Sequence, residues 1–208
     1  MLELKSLIKK YNSHIILNIP QLALGAGTYW IKGKNGSGKT TLLKIVAGLI
    51  PFEGSVELNS INLIKNPVGY RRQISYAEAE PIYPPFLTGK ELIKFVQSAR
   101  KDENKNIQSL IDTWGIGQFV NNRIETYSSG MTKKLSLALA FIGKTRLILL
   151  DEPLITLEDA ALPILFKLMS DRTKEGTSFL FTSHQAFPET DILLTGKVTI
   201  ENQTARLE

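Results

Sequence analysis

The sequence predicts an α/β fold: a mostly parallel sheet with helices on both faces, a small antiparallel β portion, and an α-helical insert over about residues 84–142. Three observations predict it. First, Thr28-Tyr29-Trp30-Ile31, β-branched and aromatic, runs into a glycine-rich loop and then into a helical apolar stripe. Second, the runs 146–150 and 177–182 are nearly continuous apolar stretches of strand length, which suit strands buried on both faces. Third, the chain between them carries helical periodicity from about residue 88 to 142.

Residues 2–31 read as strands. Leu2, Leu4 and Leu7-Ile8 come first, then 15–19, then 29–31, with turn chemistry at Asn12-Ser13 and Gly25-Ala26-Gly27. Tyr11 stands at the first break, where an aromatic ring can stack on a base or simply end a strand. After the glycine loop, Leu42, Leu43, Ile45 and Val46 form a helical stripe that Gly48 and Pro51 end. Glu53-Gly54-Ser55 reads as a turn before a strand pair at Val56, Leu58 and Ile61, and 71–76 as another short strand. Glu78 to Pro85, with Pro81 and Pro84, reads as an irregular surface loop.

Thr88 opens a helix, and Glu91 three residues on completes a capping box. Leu92, Ile93 and Val96 face inward. A polar gap over 101–106 leads to a second helix carrying Ile107, Leu110, Ile111 and Trp114, ended by Gly115 and Gly117. A third follows Ser128-Ser129-Gly130, with Leu135, Leu139 and Ile142 on one stripe. The apolar run 146–150 ends in Asp151-Glu152-Pro153, and a helix follows over 160–170 with Pro163 in its first turns. The run 177–182 ends in Ser183-His184, and 191–200 reads as two short strands around Thr195-Gly196-Lys197.

The glycine loop carries the chemistry. Gly33-Lys34-Asn35-Gly36-Ser37-Gly38-Lys39-Thr40, followed by Thr41, fits the P-loop spacing of glycine, four residues, then Gly-Lys-Thr. Triphosphate is a dense anion. Glycines let backbone N–H groups approach its oxygens, and a helix starting near Gly38 aims its positive end at them. Lys39 then reaches the β- and γ-phosphates, and the Thr40 hydroxyl faces Mg²⁺. A carboxylate at the end of a buried strand, Asp151, suits a Mg²⁺-organising acid.

Composition narrows the class. With 208 residues, 43% of them hydrophobic, the chain can bury a substantial core. No apolar run approaches bilayer length, and the charged opening 1–10 is not a signal peptide. No cysteine is present, which excludes disulfides and thiolate metal sites and suits the cytosol. The net charge of +5 is scattered apart from pairs such as Lys9-Lys10 and Lys133-Lys134. Such lysines read as solvated surface, so no nucleic-acid partner is expected.

P-loop, Ser128-Ser129-Gly130 before a helix, and a strand ending Asp151-Glu152 with His184 beyond stand in the order that resembles the nucleotide-binding domain of ABC ATPases. The resemblance covers nearly the whole chain. It implies a P-loop, RecA-like core and one such domain over 1–208, with ATP and Mg²⁺ as cofactors. It implies that Tyr11 stacks on adenine and that Asp151 orients Mg²⁺. By the same resemblance Glu152 is the general base for the attacking water, and His184 contacts the γ-phosphate. Tyr127-Ser128-Ser129-Gly130-Met131 resembles the family's Leu-Ser-Gly-Gly-Gln signature, which closes on nucleotide bound by another subunit.

The implied unit is a head-to-tail dimer, with an identical or a different second subunit. It would be cytoplasmic at the inner face of the membrane, docked on a separate permease through the groove at 79–86 and the insert. Three departures stand out. Ser129 and Met131 replace signature residues, no glutamine falls near Ala79, and Leu157-Glu158 stands where an aspartate is usual. They keep open a regulatory subunit with little or no hydrolysis. A soluble ABC ATPase outside transport remains the other alternative, although such proteins usually carry two nucleotide domains or a coiled-coil insert.

Overall fold

Alternating apolar residues in the first part of the chain build two long paired strands. In the computed structural model, which describes residues 1–101, 107–184 and 193–208, β1 (Leu2–Tyr11) pairs antiparallel with β2 (His14–Leu24). Asn12, at positive φ, starts the turn between them. The other edge of β1 pairs antiparallel with β4 (Glu53–Leu58), which pairs in turn with the short β5 (Ile61–Asn62). This four-stranded sheet is the antiparallel portion expected from the sequence.

A second sheet holds six strands: β3 (Thr28–Lys32), β6 (Ile74–Ala77), β7 (Leu147–Leu150), β8 (Ser178–Thr182), β9 (Gly196–Glu201) and β10 (Thr204–Leu207). Their spatial order is β10-β9-β3-β8-β7-β6, parallel throughout except for the antiparallel edge strand β10. Period-2 alternation splits its side chains between two cores. Ile31, Leu147, Leu149 and Leu180 pack with α1 (Lys39–Val46) and the inner residues of the antiparallel sheet. Trp30, Ile148, Leu150, Phe179 and Phe181 face the opposite core. That core is completed by α3 (Gly89–Ala99), α4 (Ile107–Thr113), α5 (Ser129–Ala140) and α6 (Leu162–Lys174).

Several local readings are corrected. Glu53-Gly54-Ser55 begins β4 rather than forming a turn. Gly54 is there because a Cβ would lie 2.2 Å from the Ser6 carbonyl oxygen, where β1 bulges. The turn lies instead at Asn59-Ser60, both at positive φ. Arg71 is not strand: it ends α2 (Pro67–Arg71), a short helix that the sequence reading missed and that Asn66 caps. The tail turn sits at Asn202-Gln203, and Thr195-Gly196-Lys197 enters β9. The polar gap from residue 102 and the start of that tail, 191–192, lie outside the described residues.

Candidate nucleotide site

In a parallel sheet the carboxyl ends of the strands share one edge, and loops that leave them meet there. β3, β8 and β7 are adjacent, so the loop 33–38, Ser183-His184 and Asp151-Glu152 emerge side by side. Gly38 is the N-cap of α1, with φ +102, and a Cβ on it would lie 2.9 Å from Leu17. No side chain caps α1, unlike α3 and α5, so no side chain competes with an anion for its first-turn amides.

Lys39 is buried, and its ammonium folds back on the loop, donating to the Gly33 carbonyl at 2.9 Å and the Lys34 carbonyl at 3.1 Å. Burial lowers its pKa, against the pull of the Glu152 and Asp151 carboxylates. Asp151 is almost fully buried, and hydrogen bonds fix both its carboxylate and its main chain. The Thr40 hydroxyl (3.2 Å) and the Thr182 hydroxyl (2.8 Å) donate to Oδ1, the Tyr76 hydroxyl donates to Oδ2 (3.2 Å), and the Asp151 N–H reaches the Ala77 carbonyl. Burial, then the Asp151 and Glu78 charges, push the Tyr76 hydroxyl pKa well up.

Glu152 is buried too, in the left-handed region at φ 45. Its N–H donates to the Thr182 hydroxyl at 2.8 Å, and its Oε2 accepts the His184 N–H at 3.1 Å. Oε1 is buried without a hydrogen bond, 3.3 Å from His184 Nε2. The alternative of a merely solvated strand-end acid does not describe this carboxylate.

These groups open on one cleft of about 380 Å³, lined by Tyr11, Ile16, Asn35, Gly36, Gly38, Lys39, Thr40, Thr41, Glu152 and His184. Tyr11 is half-exposed there, with the Lys9 ammonium 4.5 Å from its ring centroid. The structure thus brings Tyr11, residues of the loop, Glu152 and His184 together, with Asp151 one hydrogen bond behind Thr40. Ser37 keeps its hydroxyl buried without a partner, and the Gly33 and Lys34 carbonyls serve Lys39.

A family model described as ABC transporter matches residues 19–155. The chain belongs to the ABC transporter family. It is an ATP-binding, ATP-hydrolysing subunit that energises membrane transport. It is 30% identical to the ABC transporter ATP-binding protein YybJ of Bacillus subtilis (strain 168), over all of this chain and 95% of that one. It is 29% identical to the cytochrome c biogenesis ATP-binding export protein CcmA of Legionella pneumophila, over 90% of this chain and 94% of that one. Among solved structures, an ATP-binding subunit of an ABC transporter shares the fold at TM-score 0.90 and 23% identity, covering 99% of this chain and 88% of that one. The ATP-binding cassette MJ0796, a dimer in a post-hydrolysis state bound to ADP and Pi, superposes at TM-score 0.82 and 19% identity. That match covers 100% of this chain and 98% of that one.

Against this family background, Ser128, Ser129 and Gly130 are not among the residues that line the cleft. Ser128 caps α5, its hydroxyl accepting the Met131 N–H at 3.2 Å, and Ser129 and Gly130 form the first turn. Near Ala79, the Glu78 carboxylate lies 3.9 Å from Lys44.

The pairs Lys9-Lys10 and Lys133-Lys134, read as solvated surface, each contain one buried lysine, Lys9 and Lys133. Lys9 donates to the Pro51 carbonyl at 2.8 Å. Lys133 is 1% exposed, donates to three main-chain carbonyls, and has its pKa lowered by burial to about 8 against the nearby Asp151, Glu152 and Glu80. The sequence carried a signal for it. Residues 135–142, Leu-Ser-Leu-Ala-Leu-Ala-Phe-Ile, are apolar but for Ser136, which marks a helix buried all round over this stretch.

Proposed function

We propose that ATP hydrolysis takes place, with Mg²⁺, at the cleft between Tyr11 and His184, and that the resulting motion passes to a permease carried on a separate chain. The buried Oε1 of Glu152, which has no hydrogen-bond partner among the described residues and lies 3.3 Å from His184 Nε2, carries the reading. A carboxylate oxygen held beside a phosphate-type loop, with its twin fixed by the His184 N–H, is placed to accept a proton from water.

The roles follow from position. The amides of the loop and of the first turn of α1 receive the β- and γ-phosphate oxygens, and Lys39 exchanges its carbonyl partners for them. Tyr11 stacks on adenine, and His184 contacts the γ-phosphate. The donor set fits Mg²⁺: the Thr40 hydroxyl and an Asp151 carboxylate oxygen stand 3.2 Å apart, both hard oxygen ligands. No cluster of three or more His, Cys, Asp or Glu occurs among the described residues, and Mg²⁺ commonly completes its shell with waters and substrate phosphates. When bound, it neutralises charge on the β- and γ-oxygens.

We read residues 1–208 as one nucleotide-binding domain, its helical insert at about 84–142. Ser128, Ser129 and Gly130, which do not line the cleft of their own chain, would complete the site of a second subunit, most simply another copy of this chain. Ile82, Phe86 and Phe95 expose large apolar side chains along the loop and α3, which supports docking of the permease there. Among the described residues no helix is long and apolar enough to cross a membrane, so membrane location would come through that partner, at the cytoplasmic face.

The test is steady-state phosphate release by the purified protein with Mg²⁺ and ATP. Glu152→Gln keeps the shape and removes the base, so the rate should fall about a hundredfold or more while ATP still binds. Equal rates at background in both proteins would favour a regulatory subunit, the reading that the altered signature motivates.

A further inference from the structure

The proposed chemistry leaves one buried charge unused. Lys133, on α5, has three donors on its ammonium. All three meet main-chain carbonyls: Glu78 at 3.0 Å, Ala79 at 3.0 Å and Asp151 at 3.2 Å. An ammonium without a direct carboxylate partner is costly to bury, so its place here needs a reason. The acceptors supply one. They sit just past the carboxyl ends of two adjacent strands, β6 and β7, and this one side chain bonds to all three.

Two further bonds tie the same stretch to Asp151. The Asp151 N–H donates to the Ala77 carbonyl at 2.9 Å, and the Tyr76 hydroxyl donates to Asp151 Oδ2 at 3.2 Å. Residues 76–79 therefore reach Asp151 at its amide, its carboxylate and, through Lys133, its carbonyl. Ala79 has no side chain able to reach the site, and Glu78 turns toward Lys44. Glu78 and Ala79 are therefore joined to Asp151 from their main-chain carbonyls, through the Lys133 ammonium.

We propose that Lys133 is a positioning residue that pins the Glu78-Ala79 turn to the end of β7, so that displacement of the turn shifts the Asp151 carboxylate beside Thr40. This rests on the reading of Asp151 as the metal-side carboxylate. The turn opens the proline-containing loop that carries Ile82 and Phe86, so a body pressing on that loop would act on Asp151 through Lys133.

Lys133→Met keeps the length of the stem and removes the donors, and Lys133→Arg restores charge and donors. Amide hydrogen exchange over 76–82, ATP binding in EDTA, and kcat at saturating Mg-ATP are measured for each. With Lys133→Met, exchange over 76–82 should quicken several-fold and kcat should drop about ten-fold, as for residues that orient a metal ligand. ATP binding in EDTA should stay unchanged, because Lys133 does not line the cleft. Lys133→Arg should recover both exchange and kcat.

Unchanged exchange overturns the proposal. So does faster exchange with unchanged kcat, since the turn would then be pinned without acting on the carboxylate. A loss of ATP binding matching the loss of kcat overturns it as well, by making Lys133 a general prop of the fold. Should Lys133→Met not fold, Lys133→Gln, which keeps one donor pair in the same space, takes the same readings. If the wild type itself shows no Glu152-dependent hydrolysis, it is the functional reading that fails, and exchange alone then decides whether the pin exists.

Discussion

Lys9, Lys39 and Lys133 carry one kind of ammonium into three environments. Lys9 lies 4.5 Å from the Tyr11 ring centroid and is tied to Pro51, so it holds in place an aromatic side chain that is 50% exposed. If Tyr11 is the adenine platform, Tyr11→Ala should weaken ATP binding about ten-fold, the scale of one lost base–aromatic stack. Tripolyphosphate, which has no base, should bind the variant as it binds the wild type. Lys39→Ala should weaken both ligands, because that ammonium answers to phosphate. Calorimetric titration of both ligands checks this, and equal losses for ATP and tripolyphosphate in Tyr11→Ala would remove Tyr11 from the base site. Lys39 was legible in the sequence because glycines at fixed spacing dictate its loop. Lys133 was not, because its neighbour Lys134 faces outward to Glu158, 2.9 Å away, and a pair of lysines reads as surface. Only the apolar surround of α5, a property of the whole helix, separates the two.

The same contrast appears in the helices and strands. Thr88 and Glu91 announced α3 from sequence alone, and the capping box is present: the Glu91 N–H donates to the Thr88 hydroxyl, and the Thr88 N–H donates to the Glu91 carboxylate at 2.8 Å. Thr88→Ala should cost about 1 kcal/mol, a drop of roughly 2–4 °C in thermal midpoint for a chain of this length. Those bonds to Thr88 hold the Glu91 carboxyl below its ordinary value near 4.5. The unfolded chain therefore binds the extra proton first as the pH falls. The contribution of Glu91 is complete above pH 4.5 and is lost as the pH drops through the lower, folded value. The midpoint deficit of Glu91→Ala, measured by thermal melts, should be full at pH 7 and shrink below pH 4.5. A deficit that stays constant into acid would mean that packing, not the carboxylate, sets it. By contrast α2 escaped notice because Pro67 and Gly69 fall within only five residues, and its one signal was the Asn66-Pro67 start. Gly54 misled in the opposite direction. Glycine marks turns in sequence, but here it marks the place where β4 presses against the bulged backbone of β1.

At the scale of the whole molecule, the parallel order β3-β8-β7-β6 explains why segments far apart in sequence share one edge, and that much follows from apolar strands ending in chemistry-bearing residues. What no single chain can display is the use of α5. Its N-terminus carries Ser128-Ser129-Gly130, yet none of the three lines the cleft made by the same chain. A helix start of this kind suits phosphate, and the phosphate it meets would be held by another copy. Glu152→Gln with Mg-ATP should then bind nucleotide without consuming it and accumulate as a closed pair. Light scattering should report about twice the monomer mass of 23.2 kDa, with ATP required. Gly130→Asp added to Glu152→Gln sets the argument apart from mere aggregation. It places a carboxylate at the helix start that would face triphosphate, and the like-charge repulsion should return the protein to monomer, while each chain keeps its own ATP because the cleft is untouched. A pair that persists with Gly130→Asp would show that the copies meet on some other surface. A monomer at every ATP concentration in Glu152→Gln alone would remove the shared site and leave α5 as an ordinary capped helix.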